Sequence, residues 1–142
     1  ITTMLTVLAL STLTHARIGE TVAQCNARYG EVVAEDEAVG RCYQKSGFNV
    51  FVTIAENGKC GQITYSKENG GKFTAPELKA LMRANGKGWV EQGKIADMQI
   101  WKTDDKAAYF NEGNYLFIRT LAYKAEEEAE AERKEAEKLK AF

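Results

Sequence analysis

The dipeptide Asn57-Gly58 divides a stretch of alternating apolar and polar residues, and it constrains the fold more than any other feature of this sequence. Both residue types tolerate the positive φ angles of a type I′ turn, so the pair is a strong signal for a two-residue β-hairpin. The expected cross-strand partners are Ile54 with Gly61, Val52 with Ile63, and Val50 with Tyr65. Apolar side chains of both strands then share one face, and the sequence predicts a hairpin with a single core face.

Two capping boxes predict the starts of two short helices, because in each box a Thr hydroxyl and a Gln or Glu side chain satisfy free amides of the first turn. The first box spans residues 21–24, and the second spans residues 74–77. Gly30 and Gly86 follow at the positions where we expect these helices to end.

Strand-like segments follow each helix, at residues 41–65 in the first half and in three runs of the second half: 98–103, 106–110 and 115–120. The acidic segment 31–40 is predicted to be mainly loop. A chain of 142 residues, 44% apolar with one Pro, has the size and composition of a single domain. We therefore expect an α+β domain over residues 17–121, with short helices packed on an antiparallel sheet in two helix-then-strands halves.

Residues 1–16 contain no Lys, Arg, Asp or Glu, and their apolar part is too short to span a bilayer. Thr14 and Ala16 fit the small-residue pattern that precedes a signal-peptidase cut. We expect a signal peptide that is cleaved after Ala16, and an exported protein, periplasmic or secreted, without a membrane span. The alternative is that this segment forms a buried N-terminal helix or strand.

Cleavage would remove His15, the only histidine of the chain. The mature protein could then form no Ser-His-Asp triad, no Cys-His pair and no His-containing zinc site. We assign no catalytic residue, no metal ligand and no cofactor. The formal net charge of −1 gives no basic field for phosphate backbones, so nucleic acid is not an expected partner.

The chain has three cysteines, Cys25, Cys42 and Cys60, so a monomer keeps at least one free thiol. A two-residue turn at Ser46-Gly47 would place Cys42 opposite Phe51, away from Cys25, whereas a three-residue turn would bring Cys42 to the core face near Cys25. The first-ranked disulfide is therefore Cys25 with Cys42. Three free thiols, each a small buried hydrophobe, are the alternative and the preferred interpretation.

The last segment, residues 122–142, is rich in Glu, Lys, Arg and Ala, all good helix formers, and lacks a heptad of large apolar residues. It predicts a charged, solvent-exposed helix. The alternatives are a helix that binds a partner and, less favoured, a coiled coil.

Four residues of the hairpin point away from its predicted core face and form the candidate binding surface: Phe51, Thr53, Gln62 and Thr64. This surface is mixed in polarity, and neither predicted helix is needed to cover it. The alternative is burial under the second half or under the C-terminal helix.

The segment 17–21, Arg-Ile-Gly-Glu-Thr, followed by Cys25 and by Arg-Tyr-Gly at 28–30, resembles the mature start of a group of small exported bacterial proteins of unknown function. That resemblance implies export but no activity. The order of helices and strands is also similar, at the level of the fold alone, to beta-lactamase inhibitor proteins and to SmpA/OmlA-type outer-membrane assembly proteins. Those families bind other proteins through their sheets, although no motif residue carries over.

The sequence thus favours a non-catalytic binding module for an envelope protein or a peptide, of unknown oligomeric state. One alternative is a small hydrolase or thiol-dependent enzyme. Another is a structural envelope component that acts through its C-terminal helix.

Overall fold

A computed structural model of the chain describes residues 17–36, 40–111 and 114–142, so the predicted signal peptide lies outside the described residues. Within these ranges, three helices accompany one antiparallel sheet of eight strands, which confirms the predicted α+β class. The helices are α1 (Val22–Tyr29), α2 (Ala75–Asn85) and α3 (Leu121–Leu139). The strands are β1 (Ala34–Asp36), β2 (Gly40–Lys45), β3 (Phe48–Ile54), β4 (Cys60–Lys67), β5 (Val90–Ile95), β6 (Met98–Lys102), β7 (Lys106–Asn111) and β8 (Tyr115–Thr120).

The strand order is β1-β2-β3-β4-β8-β7-β6-β5, so two four-stranded meanders are joined along β4 and β8. Each meander follows its own helix, as the two-halves prediction requires. The joining pair is antiparallel and sets Ile63 opposite Ile118 and Tyr65 opposite Leu116. All four side chains are buried, so the two halves share one core.

Both predicted capping boxes are present. Thr21 accepts a hydrogen bond from the Gln24 amide while the Gln24 side chain accepts one from the Thr21 amide, and Thr74 and Glu77 repeat this arrangement at α2. Helix α1 ends at Gly30, whose φ of +84° is unfavourable for residues with a Cβ. These local signals explain why both helices begin and end where the sequence predicts.

The core lies between one face of the sheet and helices α1 and α2. Its sheet side is formed by alternate residues of the central strands, and its helix side by four residues: Cys25, Tyr29, Leu81 and Met82. Among the described residues, Asn85 is the one buried residue with an amide or charged side chain. Its side chain donates to the Tyr65 hydroxyl and to the Leu81 carbonyl, both at 2.9 Å.

The segment of residues 17–21, which precedes α1, is fixed against β4. The Gly19 amide donates to the Cys60 carbonyl at 2.8 Å, and the Cys60 amide donates to the Glu20 carbonyl at 2.7 Å. Arg28 forms a two-point ion pair with Glu20. The residue types of this segment therefore have a structural explanation, because they attach the segment before α1 to the sheet.

The hairpin register is confirmed at two of its three predicted pairs, Val52 with Ile63 and Val50 with Tyr65. The third pair is wrong, because Ile54 lies opposite Cys60 rather than Gly61. A bulge in β4 inserts one extra residue there and moves the Cys60 side chain into the core. The two-residue type I′ turn is also wrong: the Ala55 amide donates to the Lys59 carbonyl at 2.8 Å, so residues 56–58 form a three-residue loop, in which Gly58 has a positive φ and Asn57 does not.

Two strands were not predicted. Strand β1 falls in the acidic segment 31–40, for which the sequence predicts mainly loop, and β5 follows α2 at the opposite edge of the sheet. Neither strand contributes to the buried core cluster, so neither carries the alternation that identifies a half-buried strand.

The predicted C-terminal helix is confirmed as α3, which begins directly after β8 and has no buried residue. Of the helices in the described ranges, none is both long enough and apolar enough to cross a membrane.

Candidate functional site

The four residues of the candidate surface lie together on the sheet face opposite α1 and α2. Phe51 pairs with Thr64 and Thr53 pairs with Gln62 across strands β3 and β4. All four side chains are partly exposed, whereas Val52 and Ile63, which lie between them along the two strands, are buried. We call this side of the sheet the open face.

The same row of side chains continues into the second half. Thr64 lies opposite Phe117, Phe117 opposite Tyr109, and Tyr109 opposite Ile100. With Phe51, the row therefore has five residues. Ile100 at its far end is buried, and the other four are partly exposed. No local sequence pattern predicts this continuation, because it depends on the pairing of β4 with β8.

The aromatic side chains of the open face are stacked. The rings of Tyr109 and Phe117 are 4.6 Å apart at 11°, and those of Tyr115 and Phe117 are 6.0 Å apart at 26°. The Arg119 guanidinium lies 5.0 Å from the centre of the Tyr109 ring, within cation–π range. Packing between the rings and this cation fixes them before any partner arrives.

Helix α3 covers only one end of the open face. The Tyr123 ring rests on Gly61, where a Cβ atom would lie 2.7 Å from it. The Glu126 carboxylate accepts a hydrogen bond from the Glu56 amide at 3.3 Å, and Glu127 pairs with Arg119 at 3.4 Å. From residue 128 onward every side chain is exposed. The helix therefore leaves the sheet, and the predicted alternative of burial under α3 applies only to the Gly61 end.

The three cysteines are free thiols, and the first-ranked disulfide is not formed. Cys42 lies opposite Phe51 because Ser46-Gly47 makes a two-residue turn, so it is on the open face, while Cys25 is buried on the core side. The bulge in β4 instead places Cys60 in the same core cluster as Cys25. The predicted pairing of Ile54 with Gly61 would instead place Cys60 on the face away from the core, and that placement is wrong.

The chemistry of the thiols follows from their burial. Burial is the main cause that raises the pKa of Cys25, Cys42 and Cys60, and the Glu20 carboxylate raises that of Cys25 further. A raised pKa leaves little thiolate at neutral pH. Across residues 17–36, 40–111 and 114–142, no three Cys, Asp or Glu side chains are grouped as metal ligands would be.

Comparison of the chain with protein-family models, with curated proteins and with solved structures finds no match. The open face must therefore be interpreted from its own geometry.

Proposed function

We propose that this chain is a non-catalytic binding module of an exported protein, and that its open face binds a folded protein partner with an apolar patch. The observation that carries the proposal is the cross-strand row formed by Phe51, Thr64, Phe117 and Tyr109 on a face that α1 and α2 leave uncovered. Aromatic residues and Arg are the side chains most enriched at protein interfaces.

The partner is expected to meet side chains and not to add a strand. Strands β3, β4, β8 and β7 are hydrogen-bonded on both sides, so their backbone groups are already paired. Stacked rings offer a large apolar area that loses little conformational entropy on binding. Thr64 lies within the row, and the neighbouring pair Thr53 and Gln62 supplies polar groups beside it.

The enzyme alternative has less support. A catalytic cysteine needs an accessible thiol with a lowered pKa, whereas burial raises the pKa of all three thiols here. Export remains supported by the composition of residues 1–16, and mass analysis of the natural protein tests it directly. A product that begins at Arg17 supports export, and a product that retains residues 1–16 contradicts it.

One observation favours the structural alternative as a second candidate. Helix α3 extends from the sheet with no buried residue, and Leu139 and Phe142 are exposed at its end. Deletion of residues 129–142 leaves the contacts of Glu126 and Glu127 in place. If α3 binds the partner, this deletion abolishes capture, and if the open face binds it, capture is unchanged.

The test of the main proposal is site-specific photo-crosslinking in native cells. A photoreactive amino acid replaces Thr64 in the row, and the matched control carries it at Lys72, an exposed residue in the loop before α2. Capture of the same protein from Thr64 and not from Lys72 supports the open face as the binding surface. Equal capture from both positions, or capture from Lys72 alone, overturns it.

A further inference from the structure

A groove lies on the other side of the sheet, between α2 and β6, and has a volume of about 530 Å³. That volume is within the range of small-molecule sites. Its apolar walls are Leu78 and Met82 of α2, Trp101 of β6, and Trp89 from the loop between α2 and β5. We call it the tryptophan groove. Because it is on the core side of the sheet, it is separate from the open face and does not depend on the function proposed there.

One wall of the tryptophan groove is fixed by hydrogen bonding and close contact. The Trp89 Nε1 donates to the Met82 carbonyl at 2.9 Å, which satisfies a free acceptor near the end of α2. The Trp89 ring also lies against Gly86, where a Cβ atom would be 3.0 Å from it. The Trp89 side chain is therefore ordered before a ligand binds, so binding does not carry the entropic cost of ordering it.

The border of the groove is positively charged. Lys79 and Arg83 lie one turn apart on α2, and Lys87 follows the helix. All three side chains belong to exposed residues, and none has a carboxylate partner in the part of the chain that the structure describes. No Asp or Glu lines the groove. Glu91, which lies opposite Trp101 on β5, accepts a hydrogen bond from Gln99 at 2.7 Å.

The lining favours a hydrocarbon chain over a peptide. No Ser, Thr, Asn or Gln side chain lines the groove, so the amides of a buried peptide would find few partners there. Strand β6 lies between β5 and β7, and its backbone groups are already paired. An alkyl chain needs no hydrogen bonds, and only its charged end needs the border cations.

We propose that the tryptophan groove binds an anionic single-chain amphiphile, a fatty carboxylate. The alkyl chain lies between Trp89 and Trp101 against Leu78 and Met82. The carboxylate lies at the border, within reach of Lys79, Arg83 and Lys87.

Both tryptophans of the chain line this groove, so intrinsic fluorescence reports its occupancy directly. The experiment titrates octanoate, decanoate and dodecanoate into the purified protein below the concentration at which each forms micelles. We expect saturable changes in tryptophan emission and an affinity that rises about fourfold for each added methylene. Dodecyltrimethylammonium, with the same chain and the opposite charge, should bind at least about tenfold more weakly.

Variants test the border separately from the apolar walls. Arg83→Glu combined with Lys87→Glu should weaken dodecanoate binding about tenfold. The double variant should also reduce the difference in affinity between dodecanoate and dodecyltrimethylammonium. The matched control is Lys138→Glu, which reverses a charge on the exposed part of α3 and should leave binding unchanged. Far-ultraviolet circular dichroism checks that each variant is folded.

Three results would each overturn the proposal. They are the absence of a saturable emission change, equal affinity for dodecanoate and dodecyltrimethylammonium, and unchanged dodecanoate affinity in the folded double variant. A negative photo-crosslinking result would contradict the function proposed for the open face but not the ligand proposed for the tryptophan groove, because photo-crosslinking does not involve the tryptophans.

Discussion

Asn85 at the end of α2 donates a hydrogen bond to the hydroxyl of Tyr65 on β4, at 2.9 Å. The two residues belong to different halves of the domain, and both are buried. The Asn85 side-chain oxygen also accepts a hydrogen bond from the Ile18 amide at 3.1 Å. The Asn85 side chain thus links α2, the central strand β4 and the segment that precedes α1.

Replacement of Asn85 by Ala should destabilise the fold by about 2–3 kcal/mol, because it leaves the Ile18 amide and the Leu81 carbonyl without this partner inside the protein. The measurement is the free energy of unfolding by urea. The control, Asn114→Ala, removes an exposed amide and should change stability by less than about 0.5 kcal/mol. Equal effects of the two substitutions would contradict the central position given to Asn85.

Local signals made much of the fold predictable from the sequence. The Asn57-Gly58 pair correctly locates the hairpin, and a three-residue loop combined with the bulge in β4 produces the predicted pairing from Val52 onward. Each capping box satisfies amides of its own helix. The four predicted residues of the open face follow from that register alone. These features need no knowledge of which distant segments pair.

The remaining features depend on pairing between distant segments. The row from Thr64 to Phe117 exists only because β4 pairs with β8, and no local pattern specifies that pair. The bulge that moves Cys60 into the core coincides with the contact between Gly61 and Tyr123 of α3. The tryptophan groove likewise needs α2 to lie beside β6, so it could not be found from sequence.

Replacement of Glu77 by Gln should make stability less dependent on pH. The Thr74 amide donates to the Glu77 carboxylate, and this bond is the first cause that lowers the pKa of Glu77; the Lys67 ammonium, at 3.0 Å, adds to it. Because the folded pKa is below the unfolded value, the carboxylate stabilises the fold above the unfolded pKa, and this contribution is lost as pH falls through the folded pKa.

Gln can form the same capping hydrogen bonds, as Gln24 does at α1, but it carries no charge. Urea unfolding at several pH values between about 6 and about 3 should show the native protein to be the more stable at the upper end, with the difference shrinking toward the lower end. A difference that stays constant over this range would rule out the charge of Glu77 as its source.

Cys42 should react with a thiol reagent before Cys25 and Cys60 do. Cys42 is partly exposed, whereas Cys25 and Cys60 are 0% and 1% exposed in the core. Alkylation of the native protein at neutral pH, followed by peptide mass analysis, measures the order. Cys42→Ser should remove the fast-reacting thiol. Isolation of the natural protein with a Cys25–Cys42 disulfide would contradict the placement of these residues on opposite faces.

Replacement of Gly61 by Ala should destabilise the protein by about 1–3 kcal/mol, because the new methyl group would lie 2.7 Å from the Tyr123 ring. The Tyr123 hydroxyl donates to Glu127 at 3.0 Å, so the ring is fixed by this bond as well as by its contact with Gly61. Burial raises the pKa of Tyr123 to about 12, and the Glu127 carboxylate adds to this effect. The double variant Gly61→Ala with Tyr123→Ala should recover about 1 kcal/mol or more relative to the sum of the single effects. Strict additivity in this double-mutant cycle would mean that α3 does not rest on the sheet at Gly61, and that the open face extends to that end as well.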